Sequence, residues 1–141
     1  MRNFTDQKSG ELYVEISTLA PAKMHIYART MAKASGRTLK VMYRDAAERF
    51  FLEKPWEYGL KWRPIKGKKI SLQCARTQKE PSGWVQVNMP LPADAGHRLN
   101  ALSVEQNVSL HMISYTMLYW WTWWINPPMS ERARRETMRD R

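Results

Sequence analysis

The sequence predicts a mainly α-helical fold with a short β ribbon, built from two copies of one strand–helix–helix unit. Three observations favour this class: a gap-free internal match at an offset of 71 residues, alternating apolar strand patterns, and helix start and stop signals in the same order. The copies span residues 11–54 and 83–125. A basic aromatic linker, 55–82, joins them, and a polar basic tail, 126–141, follows.

The strand of each copy shows an apolar residue at every second position, the pattern of a half-buried strand. Residues 13–17 superpose on residues 84–88. One set of side chains is expected to face the core: Leu12, Val14, Ile16, Val85, Val87 and Met89. The other set is expected to face outward: Tyr13, Glu15, Ser17, Trp84, Gln86 and Asn88. Each copy therefore offers one strand face to a partner.

Two helices are predicted after each strand. Pro21 and Pro92 stand where the first helices begin, a position that suits the fixed φ of proline. Apolar residues then recur at helical spacing on one face. Gly36 and Asn107 can adopt the left-handed conformation that ends a helix. Thr38 and Ser109 can cap the second helices, which carry apolar residues at Leu39, Met42, Ala46 and Phe50 and at Leu110, Ile113, Met117 and Trp121.

The charge of the chain indicates a polyanionic partner. Twenty-three Lys and Arg against 13 Asp and Glu give a net charge of +10 and a pI near 10.0. A field of this sign attracts nucleic acid, an acidic membrane or an acidic protein, although a basic pI can also serve solubility alone. Positive charge is concentrated in the linker and at the residue before it: Lys54, Lys61, Arg63, Lys66, Lys68, Lys69, Arg76 and Lys79. Alternation of apolar residues favours an extra strand over 69–75.

Several function classes are not expected. Cys74 is the sole cysteine, so neither an internal disulfide nor a cysteine zinc site can form, which fits a reducing cytoplasm. No apolar secretory segment is visible at the N-terminus. Residues 108–125 are marginally long for a membrane span, but their polar side chains favour a buried amphipathic helix. The three histidines are scattered and no phosphate loop or carboxylate pair occurs, so we expect no enzyme, no metal and no cofactor.

The doubled unit resembles the ribbon-helix-helix (Arc/MetJ) family. The resemblance lies in the short strand, the helix near a proline, the Gly or Asn break and the capped second helix, and residues 84–92 resemble the family ribbon closely. With both copies in one chain, the arrangement is similar to that of the tandem TraY-type conjugation proteins. The resemblance implies an intramolecular pseudo-dimer, in which two antiparallel strands enter the major groove of duplex DNA and four helices share a core.

The outward strand residues are the candidate base readers of that ribbon: Tyr13, Glu15, Ser17, Trp84, Gln86 and Asn88. Gln86 and Asn88 match the polar ribbon positions of the family, and both residue types can bond adenine in bidentate fashion. The alternative is that they are solvated side chains on an exposed strand. Glu15 is repelled by phosphates, and Leu19 and Pro90 occupy a position that is often basic in the family. We therefore expect asymmetric recognition, led by the second copy.

Phosphate contacts are expected where each second helix begins, since a helix N-terminus binds anions through its free N–H groups and its dipole. The candidates there and in the linker are Arg37, Thr38, Lys40, Ser109, Lys66, Lys68 and Lys69. Arg37 and Lys40 add cations to the first copy, whereas the second has only His111. The sequence therefore predicts that the first copy holds phosphates more tightly. The linker lysines are further candidates, with a solvated loop as the alternative.

The expected function is that of a cytoplasmic regulator of transcription, with a relaxosome accessory role at a transfer origin as the close alternative. Four tryptophans exceed the needs of a minimal core: Trp120, Trp121, Trp123 and Trp124. They are expected either to pack against Trp56, Tyr58 and Trp62 or to form a surface for self-association. A protein-interaction module or antitoxin that uses this helix is the rival from another class, and a membrane-surface role comes last. Pairing of the copies between two chains also stays open.

Overall fold

The structure, a computed structural model, describes residues 1–67, 69–77 and 83–127, without the side chains of 76 and 77. The elements run in the order β1 (Arg2–Thr5), β2 (Leu12–Pro21), α1 (Ala22–Ala34), α2 (Leu39–Glu53), a 3₁₀ turn (Pro55–Glu57), α3 (Leu72–Thr77), β3 (Trp84–Pro92), α4 (Ala93–Gln106) and α5 (Leu110–Tyr119). A π-helical turn, Trp120–Ile125, continues α5. A mainly helical fold with a short antiparallel sheet is confirmed. Lys68 and the tail from residue 128 lie outside the described residues.

The described strands form one antiparallel sheet in the order β1–β2–β3. The β2–β3 pair, called the ribbon below, runs from Tyr13 opposite Pro92 to Pro21 opposite Trp84. Ser17 lies directly opposite Asn88 at its centre. β1 pairs with the other edge of β2 but covers only its first residues, from Leu12 to Glu15. The ribbon is therefore widened at one end, by a strand that sequence analysis did not predict.

The inner face of the ribbon forms the floor of the core. Alternate side chains on both strands are buried against the helices: Val14, Ile16, Thr18, Ala20, Val85, Val87, Met89 and Leu91. Leu12 does not belong to this set, because it is 65% exposed at the start of β2, and its predicted core position is wrong. α4 crosses the sheet closely at Gly96, where an added Cβ would lie 1.9 Å from Cγ2 of Val14.

The second helix of each unit packs on the strand of the other unit, so that α2 lies on β3 and α5 lies on β2. Both helices contribute to one continuous core, to which α2 supplies Met42 and Phe50 and α5 supplies Ile113 and Met117. Each of these four residues is at most 1% exposed. Because each of these helices packs on the strand of the other unit, neither unit can bury its apolar face alone.

The predicted helix boundaries are confirmed at their capping residues. Oγ1 of Thr38 accepts a hydrogen bond from the Val41 N–H at 3.2 Å, and Oγ of Ser109 accepts one from the Met112 N–H at 3.2 Å. Each side chain satisfies one of the free N–H groups that begin a helix. Asn107 ends α4 with a left-handed φ of 53°. The two second helices thus start at Leu39 and Leu110 in matching fashion.

The linker packs on the core through its aromatic residues. The Trp56 ring lies 4.8 Å from the Phe50 ring and stacks on Trp62 at 6.0 Å, while Trp120 lies 5.6 Å from Phe50. The expected core packing is confirmed for these tryptophans. Tyr58 is 82% exposed, so its predicted place in this cluster is wrong. Within the described ranges, no helix has both the length and the apolar character needed to cross a membrane.

The extra strand predicted over 69–75 is wrong beyond its first residue. Lys69 makes a single parallel bridge to Trp84, and Leu72–Thr77 then forms α3. Oγ of Ser71 accepts a hydrogen bond from the Cys74 N–H at 3.1 Å, the geometry of a capped helix start. The buried side chain of Ala75 packs with Ala22 and Val85, which fastens this short helix to the start of β3.

Candidate nucleic-acid interface

The outer face of the ribbon carries a connected set of polar side chains at its centre. Oγ of Ser17 donates to Oδ1 of Asn88 at 2.9 Å, and Nε2 of Gln86 donates to the same oxygen at 2.9 Å. Gln86 and Asn88 are exposed and Ser17 is half-buried. Three of the predicted base-reading residues therefore lie side by side on one accessible surface.

Lys69 extends this polar set from the linker. Its ammonium donates to Oε1 of Gln86 at 2.8 Å. The linker backbone holds the lysine there, because the Ile70 N–H donates to the Trp84 carbonyl at 2.7 Å. Gly67 makes the approach possible: it has a φ of 117°, and a Cβ on it would lie 2.1 Å from the Trp84 indole. Lys69 thus lies beside Gln86 on the outer face of the ribbon.

Trp84 is only partly available for base contacts. Its ring packs edge-on against Tyr115 at 4.9 Å, and Gly67 covers the indole. The side chain is half-buried. The prediction of Trp84 as an outward reader is corrected accordingly: its ring supports the linker and the core as well as the outer face.

Tyr13 is not exposed, and its predicted role as an outward base reader is wrong. The side chain retains only 3% of its surface. The ring of Phe4, on β1, stacks on Tyr13 at 5.7 Å, and the ammonium of Lys40 lies 4.2 Å from the centre of the Tyr13 ring. Arg44 bonds its hydroxyl. The alternation of β2 does direct Tyr13 to the outer face, but β1 and α2 cover it there.

Glu15 stays on the outer face in a half-buried position. A guanidinium nitrogen of Arg2 lies 3.2 Å from its carboxylate. The ion pair sits opposite Pro90, which has no N–H to donate. This part of the ribbon therefore offers neither an uncompensated charge nor an amide side chain.

The cations at the start of α2 are all paired with carboxylates. Lys40 lies 2.5 Å from Asp6, and Arg37 lies 2.8 Å from Asp45. Arg44, one turn further along, lies 2.9 Å from Glu11. The hydrogen bond from the Lys40 ammonium, joined by one from the Lys8 N–H, holds the pKa of Asp6 below its ordinary value of 3.8. Asp6 therefore stays ionised and neutralises a predicted phosphate contact.

The start of α5 has a different electrostatic environment. A cleft of about 500 Å³ lies between this helix end and the ribbon. The residues around it are Ser17, Thr18, Leu19, Ile65, Lys69, Gln86, Ser109 and His111. None of these is acidic. Oγ1 of Thr18 donates to the His111 carbonyl at 2.7 Å, and His111 Nδ1 contacts the Ser17 carbonyl, so α5 is fixed against β2.

The two predicted phosphate-contact regions differ in charge pairing. Within the described residues, Lys66 and Lys69 have no carboxylate partner, whereas Arg37 and Lys40 each have one. The expectation that the first copy holds phosphates more tightly rested on counting cations. Asp6, which precedes the first copy, and Glu11, its first residue, change the balance.

The residues missed by sequence analysis come from the N-terminal hairpin, which comprises Arg2, Phe4, Asp6 and Glu11. A signal for its turn does exist in residues 6–10, where Asp6 accepts from the Lys8 N–H and Gly10 takes a φ of 74°. β1 itself is only four residues long and has little apolar alternation to mark it.

No group of three or more His, Cys, Asp or Glu side chains that could hold a metal ion occurs in the part of the chain that the structure describes. No protein-family model matches the chain, and neither curated proteins nor solved structures give a match.

Proposed function

We propose that this chain is a single-chain ribbon-helix-helix pseudo-dimer that binds duplex DNA through the outer face of its ribbon. One observation carries the proposal. The internal match of the sequence makes Ser17 equivalent to Asn88, 71 positions later, and the same two residues lie opposite each other at the centre of the ribbon. Two units related by a twofold axis must meet at equivalent residues, and the register satisfies this condition.

The dimensions of the ribbon suit the major groove. Two adjacent strands are about 5 Å apart, and the major groove is about 12 Å wide, so a two-stranded ribbon with its side chains can enter. Gln86 and Asn88 are exposed and hold each other in place through the 2.9 Å hydrogen bond. A good bidentate pair between such an amide and adenine gives about 1–3 kcal/mol of discrimination against other bases.

The net charge of +10 supports a polyanionic partner, since phosphate contacts supply most of the sequence-independent affinity of DNA-binding proteins. Lys66, Lys69 and the capped start of α5 are the phosphate contacts that we propose. The role that we prefer is that of a cytoplasmic regulator of transcription, acting on plasmid conjugation genes. A relaxosome accessory role at a transfer origin uses the same surface, and mapping of bound sites separates the two: promoters favour the regulator, and one origin beside a nick site favours the relaxosome.

The proposal is tested by selecting bound sequences from a random duplex pool and then measuring affinity for the selected site. Gln86→Ala with Asn88→Ala is expected to lose about tenfold or more in affinity for the selected site while keeping its affinity for unselected DNA. A matched control, Gln73→Ala with Asn100→Ala, removes one exposed glutamine and one exposed asparagine side chain from α3 and α4. Selection of no common sequence by the wild type, or equal losses in both double variants, would contradict specific reading by the ribbon.

A second candidate function, a protein-interaction module or antitoxin, is favoured by one apolar surface. Tyr58 and Trp124, 82% and 63% exposed, line a cleft of about 520 Å³ beside Tyr119 and Trp120. Aromatic anchors of this kind dominate protein interfaces. If this candidate holds, Trp124→Ala abolishes the cellular activity and the Gln86→Ala, Asn88→Ala variant retains it. Trp123 is a poorer choice for this test, because it stacks on Tyr27 at 5.2 Å.

A further inference from the structure

The N-terminal hairpin divides the ribbon into two unlike halves about the Ser17–Asn88 pair. The Tyr13 half contains Tyr13, Glu15, Pro90 and Pro92, with β1 beside them. The Gln86 half contains Leu19, Pro21, Trp84 and Gln86, with Lys69 beside them. Because only the Tyr13 half has a complete third strand, the two halves differ in width as well as in charge.

The added width of the Tyr13 half limits how deeply it can enter a groove. Three strands span about 10 Å between their outer backbones, against about 5 Å for two. With side chains added, the wider half exceeds a major groove of about 12 Å. The Phe4 ring also lies on top of Tyr13, so that the side chain which would meet the bases is covered. β1 therefore occupies space that DNA would need.

The charges of the hairpin reinforce this exclusion. Asp6 and Glu11 place carboxylates on Lys40 and Arg44, at distances of 2.5 Å and 2.9 Å. The start of α2 is the position where phosphates would bind by analogy with the start of α5. Two carboxylates of the chain itself thus pair with cations that would otherwise be open to phosphates at this end of the ribbon.

We propose that residues 1–11 act as a clasp, in which the Asp6 and Glu11 carboxylates occupy the phosphate-binding end of α2 and restrict the grip on duplex DNA to the Gln86 half. The inference rests on the proposed function and sharpens it, because the preferred ligand becomes an asymmetric duplex half-site rather than an inverted repeat. Opening the clasp exposes Lys40 and Arg44 and gives the protein a second set of phosphate contacts.

The test measures how affinity for a fluorescein-labelled duplex of mixed sequence depends on salt, between about 50 and 200 mM, for the full-length chain. Each phosphate contact contributes about 0.9 to the slope of log affinity against log salt concentration. Asp6→Asn with Glu11→Gln is expected to steepen the slope by up to about 2, since two cations are released. The control, Glu57→Gln with Glu105→Gln, makes the same change in net charge at a cleft beside the C-terminal end of α2.

A double-variant cycle identifies the released cation. Lys40→Ala is expected to leave the slope unchanged in the wild type and to remove about 0.9 of it in the Asp6→Asn, Glu11→Gln background. Near-ultraviolet circular dichroism checks that each variant is folded, which is expected because ion pairs at or near the surface contribute little to stability. A slope for the clasp variant equal to that of the control pair, or an equal effect of Lys40→Ala in both backgrounds, overturns the clasp.

The proposed function has its own arm in the same experiment. Lys69→Ala is expected to reduce the wild-type slope by about 0.9, whereas Lys54→Asn, a charge removed after the far end of α2, leaves it unchanged. If the wild type does not bind the duplex, or if these two variants behave alike, the DNA-binding surface itself is wrong and the clasp falls with it. If Lys69→Ala reduces the salt slope as expected but Asp6→Asn with Glu11→Gln does not change it, the clasp alone is overturned.

Discussion

The Tyr13 half and the Gln86 half of the ribbon have the same backbone plan and opposite electrostatic outcomes. Lys40 and His111 stand at equivalent positions in the first turns of α2 and α5. Judged from the sequence, the lysine makes the first half more attractive to phosphates. In the folded chain Lys40 is paired with Asp6, while His111 lines an acid-free cleft with Lys69. Cations that are close in sequence therefore predict a positive surface only where no carboxylate from a distant part of the chain pairs with them.

Some elements of the structure match the 71-residue offset of the sequence, and others do not. The cross-strand register, the start of each helix and the caps follow the two copies closely. The segments that precede each strand do not. β1 pairs antiparallel with β2, whereas Lys69 approaches β3 in parallel through a single bridge. We expect DNA binding to depend on these flanking segments, because β1 covers one half of the ribbon and the linker leaves the other half accessible.

Replacing the glycines of the two flanking segments should show the largest contrast. Gly67 and Gly10 both have positive φ, but a Cβ on Gly67 meets the Trp84 indole, while Gly10 has no neighbour within 4 Å of that position. Gly67→Ala should destabilise the linker contact by about 2–4 kcal/mol, from backbone strain and overpacking together. Gly10→Ala should cost about 1–2 kcal/mol from strain alone.

Hydrogen exchange of the Ile70 N–H, which bonds the Trp84 carbonyl, measures the first effect, and urea denaturation measures both. Since the linker can open locally, exchange is expected to accelerate more than global stability falls. Unchanged protection of Ile70 in Gly67→Ala would show that the linker does not depend on this close approach.

The two helix caps provide an intermediate contrast. Thr38→Ala and Ser109→Ala each remove one side-chain acceptor and should each cost about 1 kcal/mol of stability. Their effects on duplex affinity should differ, because Ser109 lies beside the open cleft and Thr38 lies at the end covered by the clasp. Thr38→Asn and Ser109→Asn keep the cap and serve as controls. Equal losses of affinity for the two alanine variants would argue that both helix ends contact DNA.

The smallest effect expected is a loss of stability of the clasp at low pH, in the Tyr13 half of the ribbon. The pKa of Asp6 lies below 3.8 because of the hydrogen bond from Lys40. A carboxylate whose pKa is lowered on folding stabilises the folded state above its unfolded pKa, and this contribution is lost as the pH falls through the folded value. Below that range the clasp should loosen in the wild type, while Asp6→Asn should lack this step.

Nuclear magnetic resonance shifts of the Phe4 and Tyr13 rings, which stack on each other, report the clasp directly. Subtracting the Asp6→Asn titration removes the contributions of other carboxylates. A step of equal size in the variant would place the responsible group elsewhere.

The local order of elements could be predicted from the sequence because its signals are local. Alternation marked β2 and β3, prolines marked the starts of α1 and α4, and Thr38 and Ser109 marked the starts of α2 and α5. The alternation over 69–75 does not give a strand, because the Ser71 side chain accepts from the Cys74 N–H and starts a short helix at Leu72.

The candidate site was harder to predict because it depends on contacts between distant residues. The outward direction of Gln86 and Asn88 follows from alternation. The burial of Tyr13 does not, since it requires Phe4 from β1 and Arg44 from α2. Neither does the pairing of the Lys40 charge, which depends on Asp6, 34 positions away. Pairing partners of charges lie outside what periodicity can reveal.

The packed linker has a consequence for behaviour at low concentration. An obligate homodimer separates on dilution, and its stability then depends on protomer concentration. Here β2 and β3 belong to one chain, and Trp56 and Trp62 fasten the connection between them to the core. The strands therefore meet at a fixed effective concentration, set by the tether rather than by the number of molecules in the cell. A ribbon of this kind stays assembled even when a single copy of the protein is present.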